Sequence, residues 1–241
     1  LSIIRELQRD GRRGVAEIAD TLGMHRNTVS MKLKRLTDRR VVNPTVYVHP
    51  PSLGFNAAAV IGVRVAPGEI DHVVRLIGGM PNVHNVFVCL GRYDVVLWGL
   101  FQDQDELHAF ITKELGGTAG IIGAETMITL GMKKLSFTFL ESPSLPHEDG
   151  GRAVDAAPAS AGGPRLDDQD LAIIRELQRD ARKSAAAIAR SIGGNKNTVL
   201  VRLRGLLDDG TVKAFVAPNA IALGYRGMVA VGISVLPGAI A

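Results

Sequence analysis

Arg26, Asn27, Thr28, Ser30, Met31 and Lys34 fall within nine consecutive residues. They offer two cations, one carboxamide and two hydroxyls, a set that suits the edge of a DNA base pair and its flanking phosphates. Arg and Lys reach phosphate oxygens or guanine, Asn can bond adenine twice, and Ser or Thr suits either. The stretch that carries them, residues 24–38, reads "MHRNTVSMKLKRLTD". In it Val29, Leu33 and Leu36 stand at i, i+4 and i+7, one apolar stripe at helical period. Arg26, Ser30 and Lys34 lie on the opposite stripe, with Asn27 and Met31 beside them. One face can therefore pack while the other lies in a major groove. An ordinary solvated amphipathic helix would show the same pattern, so the flanking elements must decide.

Immediately upstream, residues 15–23 read "VAEIADTLG". Ile18, Ala19 and Leu22 form a short apolar face, and Gly23 can take the positive φ of a tight turn. Helix, Gly-containing turn and second helix make a helix-turn-helix unit, with Ala19, Gly23 and Val29 at its small, turn and packing positions.

The chain repeats this unit. Residues 1–71 align without a gap to residues 171–241, and about 29 of the 71 positions are identical. "LSIIRELQRD" recurs as "LAIIRELQRD", and "RNTVSMKLKRL" as "KNTVLVRLRGL". Ala189, Gly193 and Val199 repeat the three motif positions, and a chance motif would hardly appear twice in register. The second copy presents Lys196, Asn197, Thr198, Arg202 and Arg204. However, Leu200 and Val201 stand where the first copy has Ser30 and Met31, which removes hydrogen-bonding capacity. The second copy is therefore expected to read bases less well and to add mainly phosphate contacts through Lys196, Arg202 and Arg204.

The formal net charge of +4 conceals a segregation. Residues 1–45 carry 10 Lys and Arg against 5 Asp and Glu, and residues 171–220 carry 9 against 4. Residues 55–140 carry 6 against 8, and residues 141–170 carry 2 against 7. Cation excess in both copies is the electrostatic footprint of a phosphate-backbone binder. No run of 18 or more apolar residues occurs and no signal-peptide pattern is visible, so no membrane is expected as a partner. The only cysteine, Cys89, has no internal disulfide partner and reads as a buried reduced thiol. These features fit the cytoplasm.

The chain opens inside a helical pattern at Ile3, Ile4 and Leu7. Because "LDDQD" precedes the second copy, a similar acidic helix start is expected before Leu1. After the first DNA-reading helix, "RRVVNPTVYV" reads as a wing and hinge strand. Residues 57–136 then alternate between patterns. "AAVIGVRV", "VHNVFVCLG", "DVVLWGLF" and "AETMITLGMKKLSF" read as strands, and "PGEIDHVVRLIGGMP" and "DQDELHAFITKELGG" as helices. The order β-α-β-β-α-β predicts a ferredoxin-like domain with both helices on one face of its sheet. The other face, which includes Trp98, needs cover, so homo-oligomerisation through this domain is expected.

The fold class is thus α+β. A winged helix-turn-helix with its hinge is expected over 1–54, and a ferredoxin-like effector and oligomerisation domain over 55–140. A flexible Pro-, Gly-, Ala- and Ser-rich linker should cover 141–166, and a second winged helix-turn-helix 167–224. Residues 225–241 correspond to the first strand of a truncated second ferredoxin-like domain, which without its partners should be disordered or pair with something outside its own unit. As a flexible coil, the linker would span on the order of 25–30 Å, near one turn of DNA.

With its two helix-turn-helix copies, a hinge ending "LGF" or "LGY", "GRYD" and "AETMITLGMKK", the chain resembles the Lrp/AsnC, or leucine-responsive, family of transcription regulators. The resemblance covers nearly everything but the linker. It implies sequence-specific binding of double-stranded DNA as oligomers, and regulation by small effectors, usually amino acids. No cofactor or metal is implied. The family's Ser N-cap becomes His25 in the first copy, a weaker cap, and Asn195 in the second, a good one. Its Gly near the helix end becomes Arg40 and Gly210. The family's effector turn maps to Gly91, Arg92, Tyr93 and Asp94, and a last-strand Thr maps to Thr126. There a carboxylate would accept from an amino acid's ammonium group, while Arg92 or backbone N–H groups meet its carboxylate. A plain hairpin turn, with Asp94 satisfying amides, is the competing reading.

Sirohaem decarboxylases are similar in architecture, which keeps an enzyme in view; His72, His84 and His108 would be its acids or ligands. No two of these stand at a metal-ligand spacing, and no nucleophile–base set is evident. An enzyme would not need two cationic helices, so a non-enzymatic regulator is expected. A ligand sensor that has lost DNA binding is the remaining alternative.

Overall fold

The computed structural model describes residues 1–132, 166–227 and 229–234. They belong to two compact units, one made of residues 1–45 and 214–234, the other of residues 46–132 and 166–213.

In the first unit, α1 (Ser2–Arg9), α2 (Val15–Thr21) and α3 (Arg26–Asp38) pack around Ile3, Ile4, Leu7, Ile18, Ala19, Val29 and Leu33. Apolar side chains at i, i+3 and i+4 give each helix one stripe to bury. The turn after α2 passes through Gly23 at φ 61°, a left-handed conformation that β-carbons resist. Strand β1 (Val42–Val48) follows α3. Its neighbour in a two-stranded sheet is β6 (Val212–Pro218) of the second copy. The expected wing is thus a hinge strand whose partner lies far along the chain. Val216 of β6 is fully buried in the core of the first copy.

The second unit holds a four-stranded antiparallel sheet and the second helix-turn-helix. Strands β2 (Ala57–Val65), β3 (Val83–Val88), β4 (Val95–Phe101) and β5 (Ile121–Ile128) lie in the order β3-β4-β2-β5. Helix α4 (Ile70–Gly78) joins β2 to β3. Helix α5 (Gln104–Ala109), continued by a π-turn over Phe110–Leu115, joins β4 to β5. This is the expected β-α-β-β-α-β order. One face of the sheet packs Ala59, Ile61, Val63, Val95 and Leu97 against Val73, Ile77, Leu107, Phe110 and Leu115. On the other, Phe87 and Met127 are more than two-fifths exposed.

Strand β5 starts three residues before the expected 124 and ends at Ile128, because its ladder runs along β2 only from Val65 back to Ala59. The end of the expected strand, from 133 on, lies outside the described residues, as do residues 141–165 of the expected linker. Residues 225–227 and 229–234 are in no strand, and residues 228 and 235–241 lie outside the described residues. A strand needs a neighbour for its N–H and C=O groups, and no described segment offers one.

Helices α6 (Asp168–Arg179), α7 (Ala185–Ile192) and α8 (Lys196–Asp208) repeat α1 to α3. Ile173, Ile174, Leu177, Ile188, Ala189, Val199 and Leu203 are buried, position for position as in the first copy. Gly193 at φ 68° repeats the turn of Gly23.

Candidate nucleic-acid interface

Helix α3 buries Val29 and Leu33. That leaves Arg26, Asn27, Ser30, Met31 and Lys34 exposed and Thr28 half-buried, so the expected reading residues share one solvent face. Lys34 pairs with Asp38 at 2.6 Å across one helical turn, both side chains largely exposed. Such a pair contributes little and can be exchanged for a phosphate. At the helix start, the Asn27 N–H donates to His25 Nδ1 at 3.3 Å.

In α8, Lys196, Asn197, Thr198 and Arg204 are likewise exposed. Val201 is 70% exposed where Met31 is 67% exposed, so both helices present one apolar group to solvent. Leu200 is half-buried at the position of Ser30. Arg202 is differently engaged, reaching Asp167 at 2.7 Å and Asp170 at 2.9 Å. Those two residues also form the capping box of α6. Asp170 and then Asp167 hold the Arg202 guanidinium above its ordinary pKa. Arg202 thus serves its own copy's fold, a role its spacing in the sequence did not reveal. Asn195 Oδ1 accepts from Asn197 N–H at 2.8 Å and Thr198 N–H at 3.4 Å, the better of the two caps.

The expected effector residues divide. Tyr93 lies on the open face of the sheet against Gly62, where an added Cβ would stand 2.5 Å from the ring. Its hydroxyl donates to Glu125, and Arg92 reaches the same carboxylate at 2.8 Å. The Tyr93 hydrogen bond, followed by Arg92, holds Glu125 below the usual carboxylate range, and the same bond raises Tyr93. Gly91 lies in the turn at φ 149°. Asp94 does something else. Its side chain accepts the Val65 N–H at 2.8 Å, and its own N–H donates to Val63 O at 3.0 Å. It closes the end of β2, as the hairpin-turn reading anticipated. Thr126 is registered opposite Ile61, and Glu125 opposite Gly62. Residues directly opposite share a face, and neighbours along a strand alternate. Thr126 therefore lies on the helix-covered side, away from Arg92 and Tyr93. Glu125 is the residue that sequence reasoning missed; its alternation with Thr126 along β5 was the available signal.

Among the remaining candidates, His72 and His108 are exposed on separate helices. His84 lies between Phe55 and Trp98, with ring centroids 6.2 and 6.0 Å away, and burial lowers its pKa. Cys89 is half-buried. No group of His, Cys, Asp or Glu among the described residues is placed to hold a metal, and no described helix is long and apolar enough to cross a membrane.

The AsnC-type helix-turn-helix model matches residues 1–37 and again 166–207, and the Lrp/AsnC ligand binding domain model matches residues 58–138. The chain belongs to the Lrp/AsnC family. One relative is the HTH-type transcriptional regulator FL11 of Pyrococcus furiosus. It is 32% identical over 133 residues, which are 55% of this chain and 87% of the relative. The HTH-type transcriptional regulator Ptr1 of Methanocaldococcus jannaschii is 24% identical over 131 residues, 54% of this chain and 88% of that protein. A Neisseria meningitidis transcriptional regulator solved in complex with L-Met shares the fold. Its TM-score is 0.53 at 22% identity, covering 61% of this chain and 94% of that one. The AsnC structure from E. coli gives a TM-score of 0.50 at 17% identity, covering 60% and 92%. This Lrp/AsnC protein thus carries two matched helix-turn-helix units and one matched ligand-binding domain.

Proposed function

We propose that this transcription regulator reads double-stranded DNA through α3, gains mainly phosphate contacts from α8, and responds to an amino acid or a similar small molecule. The observation that carries the reading is the exposed stripe of α3. Arg26, Asn27, Ser30 and Lys34 stand on a helix held by its opposite face, in a segment with twice as many cations as anions. A rigid helix with that chemistry fits a major groove. In this reading residues 1–54 and 167–224 are the readers, and residues 55–140 bind effector and a second copy through the open sheet face. The protein works in the cytoplasm and catalyses no reaction.

For the effector, Arg92 and Glu125 offer opposite charges on one face, at a pair exposed enough to open. A free amino acid carries the complementary pair, its carboxylate for Arg92 and its ammonium group for Glu125. The related Neisseria regulator, solved with L-Met, makes an amino acid the first class to try.

The test is binding of the full chain to DNA from upstream of its own gene and to random DNA, across a salt series, with and without amino acids. Specific affinity that falls steeply with salt and shifts with one amino acid is the expected result. Flat, salt-independent titrations would overturn the DNA-reading assignment.

A further inference from the structure

The core of the first helix-turn-helix is closed by residues that the second copy supplies. Val216 is fully buried among Ile3, Ile4, Leu7, Ile18 and Val29, and Leu223 packs on the same cluster. Gly11 meets the backbone of Phe215 so closely that an added Cβ would stand 2.7 Å from its Cα. Asn219 N–H donates to Val41 O at 2.9 Å. In the other unit, His49 N–H donates to Thr211 O at 3.0 Å, and Val46 and Val48 of β1 are buried.

The sequence repeat relates these two bonds. The alignment of residues 1–71 with 171–241 carries Val41 onto Thr211 and His49 onto Asn219. Exchanging the copies therefore turns the bond from Asn219 to Val41 into the bond from His49 to Thr211. Both bonds fit one antiparallel register, in which Thr45 stands opposite its own repeat equivalent, Phe215. Self-correspondence of this kind marks an isologous contact, in which each partner gives the other what it receives. Here both partners lie on one chain.

We propose that the two copies exchange their hinge strands within a single chain, so that β6 completes the first helix-turn-helix and β1 completes the second. No second chain is then required to complete either helix-turn-helix. Damage to the hinge strand of one copy loosens the helices of the other.

Hydrogen exchange of the full chain, read by mass spectrometry on peptides from α1–α3 and α6–α8, tests this with Val216→Ala. Truncating a buried valine removes packing from whichever core it fills. Exchange in α1–α3 should rise roughly tenfold while α6–α8 change little. Faster exchange in α6–α8, equal change in both, or no change would overturn the exchange of strands. A second variant separates one chain from two. With Cys89→Ser as background, Thr45→Cys and Phe215→Cys should join on mild oxidation into a monomeric, internally bridged chain. A covalent dimer, or no bridge at all, would overturn the intrachain pairing.

Discussion

The two helix-turn-helix copies share a core and differ at the surface. Ile18 and Ile188, Ala19 and Ala189, Val29 and Val199, and Leu33 and Leu203 are buried in pairs. The second copy has the better local chemistry for folding. Asn195 caps α8 with two hydrogen bonds where His25 gives α3 one. Gly210 takes a left-handed conformation that the first copy forces on Arg40. Asp167 and Asp170 cap α6 and grip Arg202. The first copy has the better surface for reading, with Ser30 where the second has Leu200. On the proposed reading, the copy with the weaker local chemistry is the one that reads bases, and the better-capped copy is the one that anchors.

The largest effect that would break this comparison is on DNA affinity. Arg26→Ala combined with Lys34→Ala removes a base-edge or phosphate contact at each position and should weaken specific binding by roughly 100-fold. Lys196→Ala combined with Arg204→Ala should cost about tenfold, with the same proportional loss on random DNA, because phosphate contacts carry no sequence information. Fluorescence anisotropy at fixed salt measures both. Equal losses from the two double variants would abolish the asymmetry.

Next in size is a stability effect at one matched position. Arg40 is the only non-glycine among the described residues with positive φ, at 52°. A β-carbon there costs about 1–2 kcal/mol, partly offset by the chain freedom that glycine restores to the unfolded state. Arg40→Gly should thus raise the stability of the first copy by about 1 kcal/mol, and Gly210→Arg, at φ 77°, should lower that of the second by a similar amount. Urea unfolding followed by circular dichroism reads both. If Arg40→Gly brings no gain, the guanidinium makes a compensating contact and the strain argument falls.

Much of the fold was legible in the sequence because the signals were local and doubled. Gly23 and Gly193 mark turns, the apolar stripes of α3 and α8 follow the helical period, and the alternation of β2 and β4 gives a one-sided sheet. What was not legible depends on distant pairing. Nothing near Val216 says that it fills the core of the other copy, since a buried valine in a hinge strand looks the same whichever copy covers it. The effector turn shows the same limit. Arg92 and Tyr93 came from the resemblance to the family's effector turn, but which residue faces them was set by the β2–β5 register. That register put Glu125 beside them and Thr126 on the opposite face. Asp94 was read for its charge, while the fold uses it as an acceptor for the Val65 N–H.

The smallest effect sharpens the comparison most finely. Arg202 was expected to meet phosphate, yet two carboxylates hold it, and its side chain is 32% exposed against 76% for Lys34. Asp167→Asn keeps an oxygen that can cap α6 while removing one of the charges. The capped backbone N–H of Asp170, with Arg202, holds the Asp167 carboxyl below the usual carboxylate range. A carboxylate with a depressed folded pKa stabilises above its unfolded value, and loses that contribution as pH falls through the folded one. At neutral pH the grip on Arg202 is therefore complete, and the substitution acts in full. It should release the guanidinium toward DNA and raise affinity by about twofold, with a steeper dependence on salt. Combining it with Arg202→Ala should erase the gain. A gain that survives the loss of Arg202 would mean that removing negative charge near the DNA, and not freeing this side chain, was responsible, and α8 would then hold its phosphates through Lys196 and Arg204 alone.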